Sequence, residues 1–500
     1  MLYVVAYYDE YMPYPRLDKA IAMIKEAYIN LMHNAESPWR TIEPQDNVFD
    51  FQADQQARKY YILAKLFKMN NRKKIMALCF LAINCHGLIN QAICQQSHPV
   101  KVEVRKVDNS YKLYRGGQPY FIKGAGGTSY SDRLVKYGGN SIRTWDSRNG
   151  AQVLNNAQQL GLTVTIGLNV ARERHGFNYD DTAKVKEQLD KLRQEVRAYK
   201  NYPALLIWGI GNELNLNYNN PKVWGAVNDI AHMIHQEDPN HPVTTMLAGI
   251  NKREIDYIKA RCPELDLLSV QVYGGLALVP QQLKAAGWQG AYMVTEWGPT
   301  GHWEGLQTSW KAPIEETSSE KAAVYKTRYE YSVERDKETC VGSYVFLWGQ
   351  KQERTPTWYG LFTDKGEESE VVDVMQFLWT GTWPANQAPH IYSLQLDGKK
   401  ALDNVMLLQG KTYAIQATAY DPNNDQLVYR YEVLDEATKV GEGGDHEDKP
   451  ANLGELVHAL GNGKATLKTP SKPGAYRLFV YITDGHNKVA TGNIPFWVKN

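Results

Sequence analysis

The chain has almost no net charge and very little cysteine. Its 56 basic and 55 acidic side chains leave a formal charge of +1, so the field that would draw it to nucleic acid or an anionic membrane surface is absent. No nucleic-acid partner and no obligate protein partner is expected. The five cysteines, Cys79, Cys85, Cys94, Cys262 and Cys340, form no CxxC pair and fall far below the density of a disulfide scaffold. Free buried thiols and no structural metal held by sulfur are the expectation. The apolar stretch from Ile75 to Ile89 is too short for a membrane span. Gly124-Ala125-Gly126-Gly127 matches neither a dinucleotide fingerprint nor a phosphate loop, and a GxSxG elbow is missing. No cofactor is expected. The Gly-rich turn is expected to open the mouth of a barrel.

What is present is ordinary globular composition, 43% hydrophobic and 22% charged, over a length that exceeds the roughly 250 residues of a single barrel. Residues 69–94 read like a secretory signal peptide placed inside the chain. Arg72, Lys73 and Lys74 form a positive end, Ile75 to Ile89 an apolar region, and cleavage is expected near Ala92. This predicts a periplasmic or secreted protein, with a buried helix as the competing reading. Upstream, Tyr7-Tyr8-Asp9-Glu10-Tyr11-Met12-Pro13, Ala35-Glu36-Ser37-Pro38-Trp39 and Glu43-Pro44-Gln45-Asp46-Asn47 resemble the opening of family 42-type β-galactosidases. The likeness covers about the first 50 residues, so 1–68 are read as a remnant of a barrel or a small extension.

From Val102 onward, apolar runs alternate with amphipathic stretches, the pattern of repeated βα units and a parallel sheet. Eight strands are expected: 120–123, 141–145, 163–168, 205–209, 243–247, 268–273, 292–295 and 342–347. Helices are expected at 182–200, 221–237 and 319–335. The fold class read from this is α/β, a (β/α)₈ TIM barrel over 95–386, followed by an immunoglobulin-like β-sandwich over 387–500. The sandwich is indicated by short alternating runs such as Thr412 to Ala419 and Tyr476 to Ile482, separated by polar turns. Gly441 to Asn452 is expected to be an exposed loop, and Asp421, Asn423 and Asp425 an ordinary hairpin turn rather than a calcium loop.

Active sites of such barrels lie at the carboxyl ends of the strands. Two glutamates stand there: Glu213, in Trp208-Gly209-Ile210-Gly211-Asn212-Glu213 after the fourth strand, and Glu296, in Val294-Thr295-Glu296-Trp297 after the seventh. Retaining cleavage of a glycosidic bond needs two such carboxyl groups, one to attack and one to move a proton. Asn-Glu after strand four and a glutamate after strand seven resemble clan A glycoside hydrolases, and residues 100 to 385 look most like barrels of the family 2 type.

The resemblance implies that Glu213 is the acid/base, Glu296 the nucleophile and Asn212 the ligand of a sugar 2-hydroxyl. It further implies that Tyr273 bonds the nucleophile and that Arg143 contacts it; an ion pair between Arg143 and Asp146 is the alternative. Trp348 is expected to floor the innermost sugar site, with Trp145, Trp297 and His175 as further substrate contacts and His302, Trp303 and Glu304 bordering the cleft. His175 and Glu173 lack companions at metal-like spacing, so no zinc is expected. The substrate class implied is a β-linked oligo- or polysaccharide, a β-glucan first. A transglycosylase sharing the same residues, or a noncatalytic carbohydrate-binding protein, are the alternatives.

Overall fold

The computed structural model describes residues 98–438, 441 and 444–500. The signal-like segment, the stretch resembling family 42 enzymes and Cys79, Cys85 and Cys94 lie outside the described residues. Among the described residues, no helix is long and apolar enough to cross a membrane, and Cys262 and Cys340 are buried and unbridged.

The chain enters through an antiparallel meander that the sequence reading missed: β1 (Val102–Val107), β2 (Ser110–Arg115) and β3 (Gln118–Tyr120). Arg115 pairs with Gln118 across Gly116-Gly117, and both glycines have positive φ, 56° and 79°, as a two-residue primed turn requires. Val102 and Leu113 join Ile122, Leu206, Leu267, Met293 and Val341 in one apolar cluster, so the meander covers the amino ends of the strands that follow. That leaves the opposite, carboxyl end as the open one.

Eight parallel strands then close a barrel: β4 (Ile122–Gly126), β5 (Ser141–Arg143), β6 (Thr163–Leu168), β7 (Leu205–Ile210), β8 (Val243–Ala248), β9 (Leu268–Gln271), β10 (Tyr292–Trp297) and β11 (Cys340–Val345). Helices α1 (Ser131–Lys136), α2 (Gly150–Gln159), α3 (Thr182–Tyr199), α4 (Lys222–Glu237), α5 (Lys252–Arg261), α6 (Val279–Ala286), α7 (Ser318–Tyr329) and α8 (Glu370–Thr380) alternate with them. The helices face the barrel through apolar stripes. In α4, Val223, Val227, Ile230 and Ile234 are buried at helical spacing. The start of α7 is fixed by a capping box between Thr317 and Glu320.

The barrel interior is polar as well as packed. Tyr344 reaches across it to Ser141 Oγ at 2.9 Å and Thr165 Oγ1 at 2.6 Å. A Cβ on Gly124 would stand 2.3 Å from the Tyr344 ring, so this glycine admits the aromatic ring.

The C-terminal region is a two-layer β-sandwich built from β13 (His390–Leu396), β14 (Val405–Leu408), β15 (Thr412–Tyr420), β16 (Val428–Asp435), β17 (Val457–Gly461), β18 (Lys464–Lys468), β19 (Gly474–Thr483) and β20 (Lys488–Lys499). One sheet runs β13-β15-β18-β17; the other contains β20-β19-β16 with β14 beside β20. Leu396, Ile415 and Leu467 meet Leu478, Val480 and Phe496 between them.

The second sheet gains a strand from the barrel region, β12 (Glu368–Ser369), parallel to β20. Charge is buried along this seam: Lys488 Nζ lies 2.5 Å from Asp373 Oδ1 and 2.8 Å from Glu368 Oε2, and Asn493 Nδ2 donates to Glu315 Oε2 at 2.6 Å.

Candidate active site

Glu296 is the penultimate residue of β10 and turns into the barrel, 7% exposed. Three donors converge on it. Arg143, fully buried at the end of β5, donates from Nη1 to Oε1 at 2.8 Å; Trp145 Nε1 donates to the same oxygen; and Tyr273 Oη donates to Oε2 at 3.1 Å. An ionised carboxylate is acceptor-only, which suits three donors at once. A guanidinium buried this deeply is stable only if paired. Arg143 also holds Thr295 O at 2.8 Å and Asn212 Oδ1, while Asp146 takes Arg148 instead; the alternative pair of Arg143 with Asp146 does not form.

Glu213 follows β7 through a turn that no ordinary side chain enters freely. Gly211 has φ 71° and Glu213 itself φ 53°. A non-glycine residue in the left-handed region costs on the order of 1–3 kcal/mol and persists where its surroundings impose it. Here the Glu213 amide donates to Met246 O on β8 at 3.0 Å. Burial, with the charge of Glu296 second, pushes the Glu213 carboxyl up to about 7, against the opposing pull of Arg143, Arg172 and Arg174. Asn212 is buried beside it, its Oδ1 accepting from Arg143 and from Gln271 Nε2 at 2.7 Å. Arg172 Nε holds the Asn212 carbonyl at 2.9 Å.

Sequence reasoning missed two of these supports. Gln271 lies two residues before Tyr273 and therefore on the same face of the strand; that spacing was its signal. Arg172 lies in the polar, aromatic loop after β6, whose sequence suggests substrate subsites or a solvated connection without singling this arginine out.

Two expected sugar contacts need correction. Trp297 follows the inward Glu296, so strand alternation turns it outward; it is fully buried against Tyr325 and Tyr329 of α7. Trp348 is 1% exposed, packs on Tyr137, Phe362 and Trp379, and donates from Nε1 to Tyr130 O at 3.0 Å. It belongs to the layer between barrel and α8. The aromatic that reaches the site from this stretch is Phe346, edge-on to Trp145, Tyr273 and Tyr359.

The rim is built from three sources. After β6, Asn169 to Ala171, Arg172, His175 and Phe177 line a concavity; the His175 ring there is half exposed, 3.9 Å from Asp445. After β10, Glu304 Oε2 accepts from Gly274 N and Gly301 N at 2.8 and 2.9 Å, folding the loop onto the end of β9. This sets Trp303, 58% exposed, edge-on to Tyr273 with centroids 5.5 Å apart. His302 is half-buried, its Nδ1 2.9 Å from Tyr359 Oη, and burial with Arg354 and Lys351 pushes it down to about 4.

The third source is the sandwich. The connection from β16 to β17, expected to be exposed, reaches the barrel rim. Lys351 Nζ donates to Gly444 O at 2.8 Å, Arg354 N to Glu447 Oε2 at 2.6 Å, and Arg174 lies 3.5 Å from Asp445. Glu447 is only 4% exposed. Beside it, burial raises the Glu353 carboxyl, against the pull of the Lys351 ammonium 2.7 Å away; the charges of Glu447 and Glu296 raise it further.

No curated protein matches this chain. Among solved structures, Bacteroides uniformis β-glucuronidase 2 covalently bound to cyclophellitol-6-carboxylate aziridine is 15% identical, with 80% of this chain and 48% of that chain covered and a TM-score of 0.43. An uncultured Clostridium sp. β-glucuronidase is 15% identical over 56% and 54%, TM-score 0.44. A GH2 β-galacturonidase from Eisenbergiella tayi bound to glycerol is 18% identical over 57% and 55%, TM-score 0.44. The chain spans about half the length of these proteins. Residues 136–293, from the end of α1 into β10 and including Asn212 and Glu213, match the family model described as glycosyl hydrolases family 2, TIM barrel domain.

Proposed function

We propose that this chain is a retaining β-glycoside hydrolase in which Glu296 attacks the anomeric carbon and Glu213 protonates the departing oxygen, then takes the proton of the incoming water. One observation carries the reading: two glutamates from barrel strands separated by β8 and β9 interact electrostatically, one gripped by three donors and the other raised by burial and by its neighbour's charge. Environments that drive two carboxyls apart in acidity are what a nucleophile and an acid require.

Asn212, with Oδ1 engaged by Arg143 and Gln271, turns its amide N–H groups to a sugar hydroxyl. Trp145 and Tyr273 act through Glu296. The substrate class is a β-linked glucan: the chain is nearly neutral overall, and Trp303 offers an exposed ring on which an uncharged sugar face stacks. Export, on the strength of the signal-like segment 69–94, belongs to the same reading.

The test is product release from β-1,3-, β-1,4- and mixed-linkage glucans and aryl β-glycosides by the parent and Glu296→Ala, with and without azide. Loss of turnover in the variant and its return as a glycosyl azide of inverted configuration is the expected result. Parent-like turnover by Glu296→Ala would remove the nucleophile assignment. A folded parent active on aryl glycosides but on none of the glucans would reject the glucan.

A further inference from the structure

Far from the barrel mouth by sequence, two turns of the sandwich bring three carboxylates together. Asp421 and Asp425 lie in the connection from β15 to β16, and Asp484 in the turn from β19 to β20. One oxygen from each lies within 4.8 Å of the others. That limit is about twice a calcium–oxygen distance of roughly 2.4 Å, so the three oxygens stand within a few tenths of an ångström of the spacing a single ion needs.

Two of the three carboxylates also hold their own turns. Asp421 Oδ1 accepts from Asn423 N at 2.8 Å and Asp425 N at 3.1 Å, and Asp484 Oδ1 from His486 N at 2.7 Å and Lys488 N at 3.1 Å. Asp421 Oδ2 is different: the residue is 7% exposed, and this oxygen is buried with no hydrogen-bond partner. The His486 ring faces the group, its Nε2 3.6 Å from Asp425 Oδ1 on a largely exposed side chain. A buried carboxylate oxygen with no donor, beside two like charges, is costly unless a cation neutralises it.

We propose that Asp421, Asp425 and Asp484 form a calcium site. The donors are hard oxygens, which select calcium or magnesium over softer metals, and calcium accepts an irregular set more readily than the strict octahedron of magnesium. The ion would fasten the passage from α8 into the sandwich. Asn386 Nδ2 donates to Asp484 Oδ2 at 2.7 Å, Asn423 Nδ2 to Ala385 O at 2.8 Å, and Gln387 N to Asn423 Oδ1 at 2.9 Å. The sequence reading took Asp421, Asn423 and Asp425 for a plain turn because the twelve-residue ligand pattern of a calcium loop is absent; the third carboxylate, Asp484, comes from a different hairpin.

The site is tested on the full chain with terbium emission excited through tyrosine, since Tyr420 precedes Asp421, and with thermal unfolding in calcium, magnesium and chelator. Expected are saturable emission displaced by calcium, and a Tm rise of several degrees in calcium. Both should be lost in Asp421→Asn and weakened at least tenfold in midpoint in Asp425→Asn. Asp421→Asn keeps the Oδ1 acceptor of the turn, and circular dichroism of the variant checks its fold. Absence of saturable emission from the parent, or equal responses from parent and both variants, would overturn the site. An equal Tm rise in magnesium would overturn its assignment to calcium.

Discussion

The barrel mouth and the seam between barrel and sandwich solve the same problem with nearly the same groups. In each, a buried carboxylate is held by a cation and a tyrosine hydroxyl: Glu296 by Arg143 and Tyr273, Glu368 by Lys488 and Tyr137, the latter at 2.6 Å. The difference is the second carboxylate. At the seam, Asp373 lies 2.5 Å from the same Lys488 ammonium, and the arrangement closes on itself. Burial raises both second carboxylates, Asp373 to about 6 and Glu213 to about 7, but the next influence on Asp373 is the opposing Lys488 ammonium, whereas at the mouth it is the like charge of Glu296, which raises Glu213 further. Similar local chemistry thus gives a rivet in one place and, in the other, the pair proposed to be reactive.

Substitutions can break or sharpen that contrast. After the loss of turnover expected of Glu296→Ala, the largest effect on rate is expected from Glu213→Gln, which should lower kcat by about 10²–10⁴-fold, the usual worth of a positioned acid, while unfolding is little changed. Activity of the parent should fall as pH rises through about 7, where Glu213 loses the proton it must donate. This basic limb should vanish in the variant, and a limb that survives would assign the acid to another group. At the seam the currency is stability. Lys488→Met leaves Asp373 without its cation, while Glu368 keeps Arg133 at 3.2 Å, and should cost about 3–5 kcal/mol by denaturant unfolding, with kcat per folded molecule unaltered. Equal stability of parent and variant would show the seam to be dispensable.

The smallest effects come from the two tyrosines. Tyr273→Phe should slow turnover by about 10- to 100-fold, one hydrogen bond to a charged group being worth about 1.5–3 kcal/mol. Tyr137→Phe should instead lower Tm without touching kcat. If both variants shifted the same observable, the distinction between rivet and reactive pair would fail.

Much of this was legible in the sequence where a segment is apolar on both faces. The expected 163–168 coincides with β6, and 205–209 with all but the last residue of β7, because buried parallel strands read as unbroken apolar runs. The meander of β1 to β3 was overlooked, although Gly116-Gly117 between two short polar-apolar runs is a hairpin signal. Glu213 and Glu296 were visible as carboxylates just past strand ends. Trp297 was misassigned by neglecting alternation, which the inward neighbour Glu296 already dictated. Trp348 depended on where α8 packs, and the approach of Asp445 to Arg174 on contacts between residues 271 positions apart; neither leaves a trace in local pattern.

That reach of the β16–β17 connection has a consequence for how the two folds evolve. A sandwich whose loop supplies part of the barrel rim, and whose sheet borrows a strand from residues 368–369, is not freely exchangeable for another appended module. Recombination at the linker would deliver a barrel with a one-sided cleft and a sheet with a bare edge. Changes in the length or composition of residues 436–452 should instead alter the rim of the barrel while leaving the hydrogen bonds on Glu296 untouched.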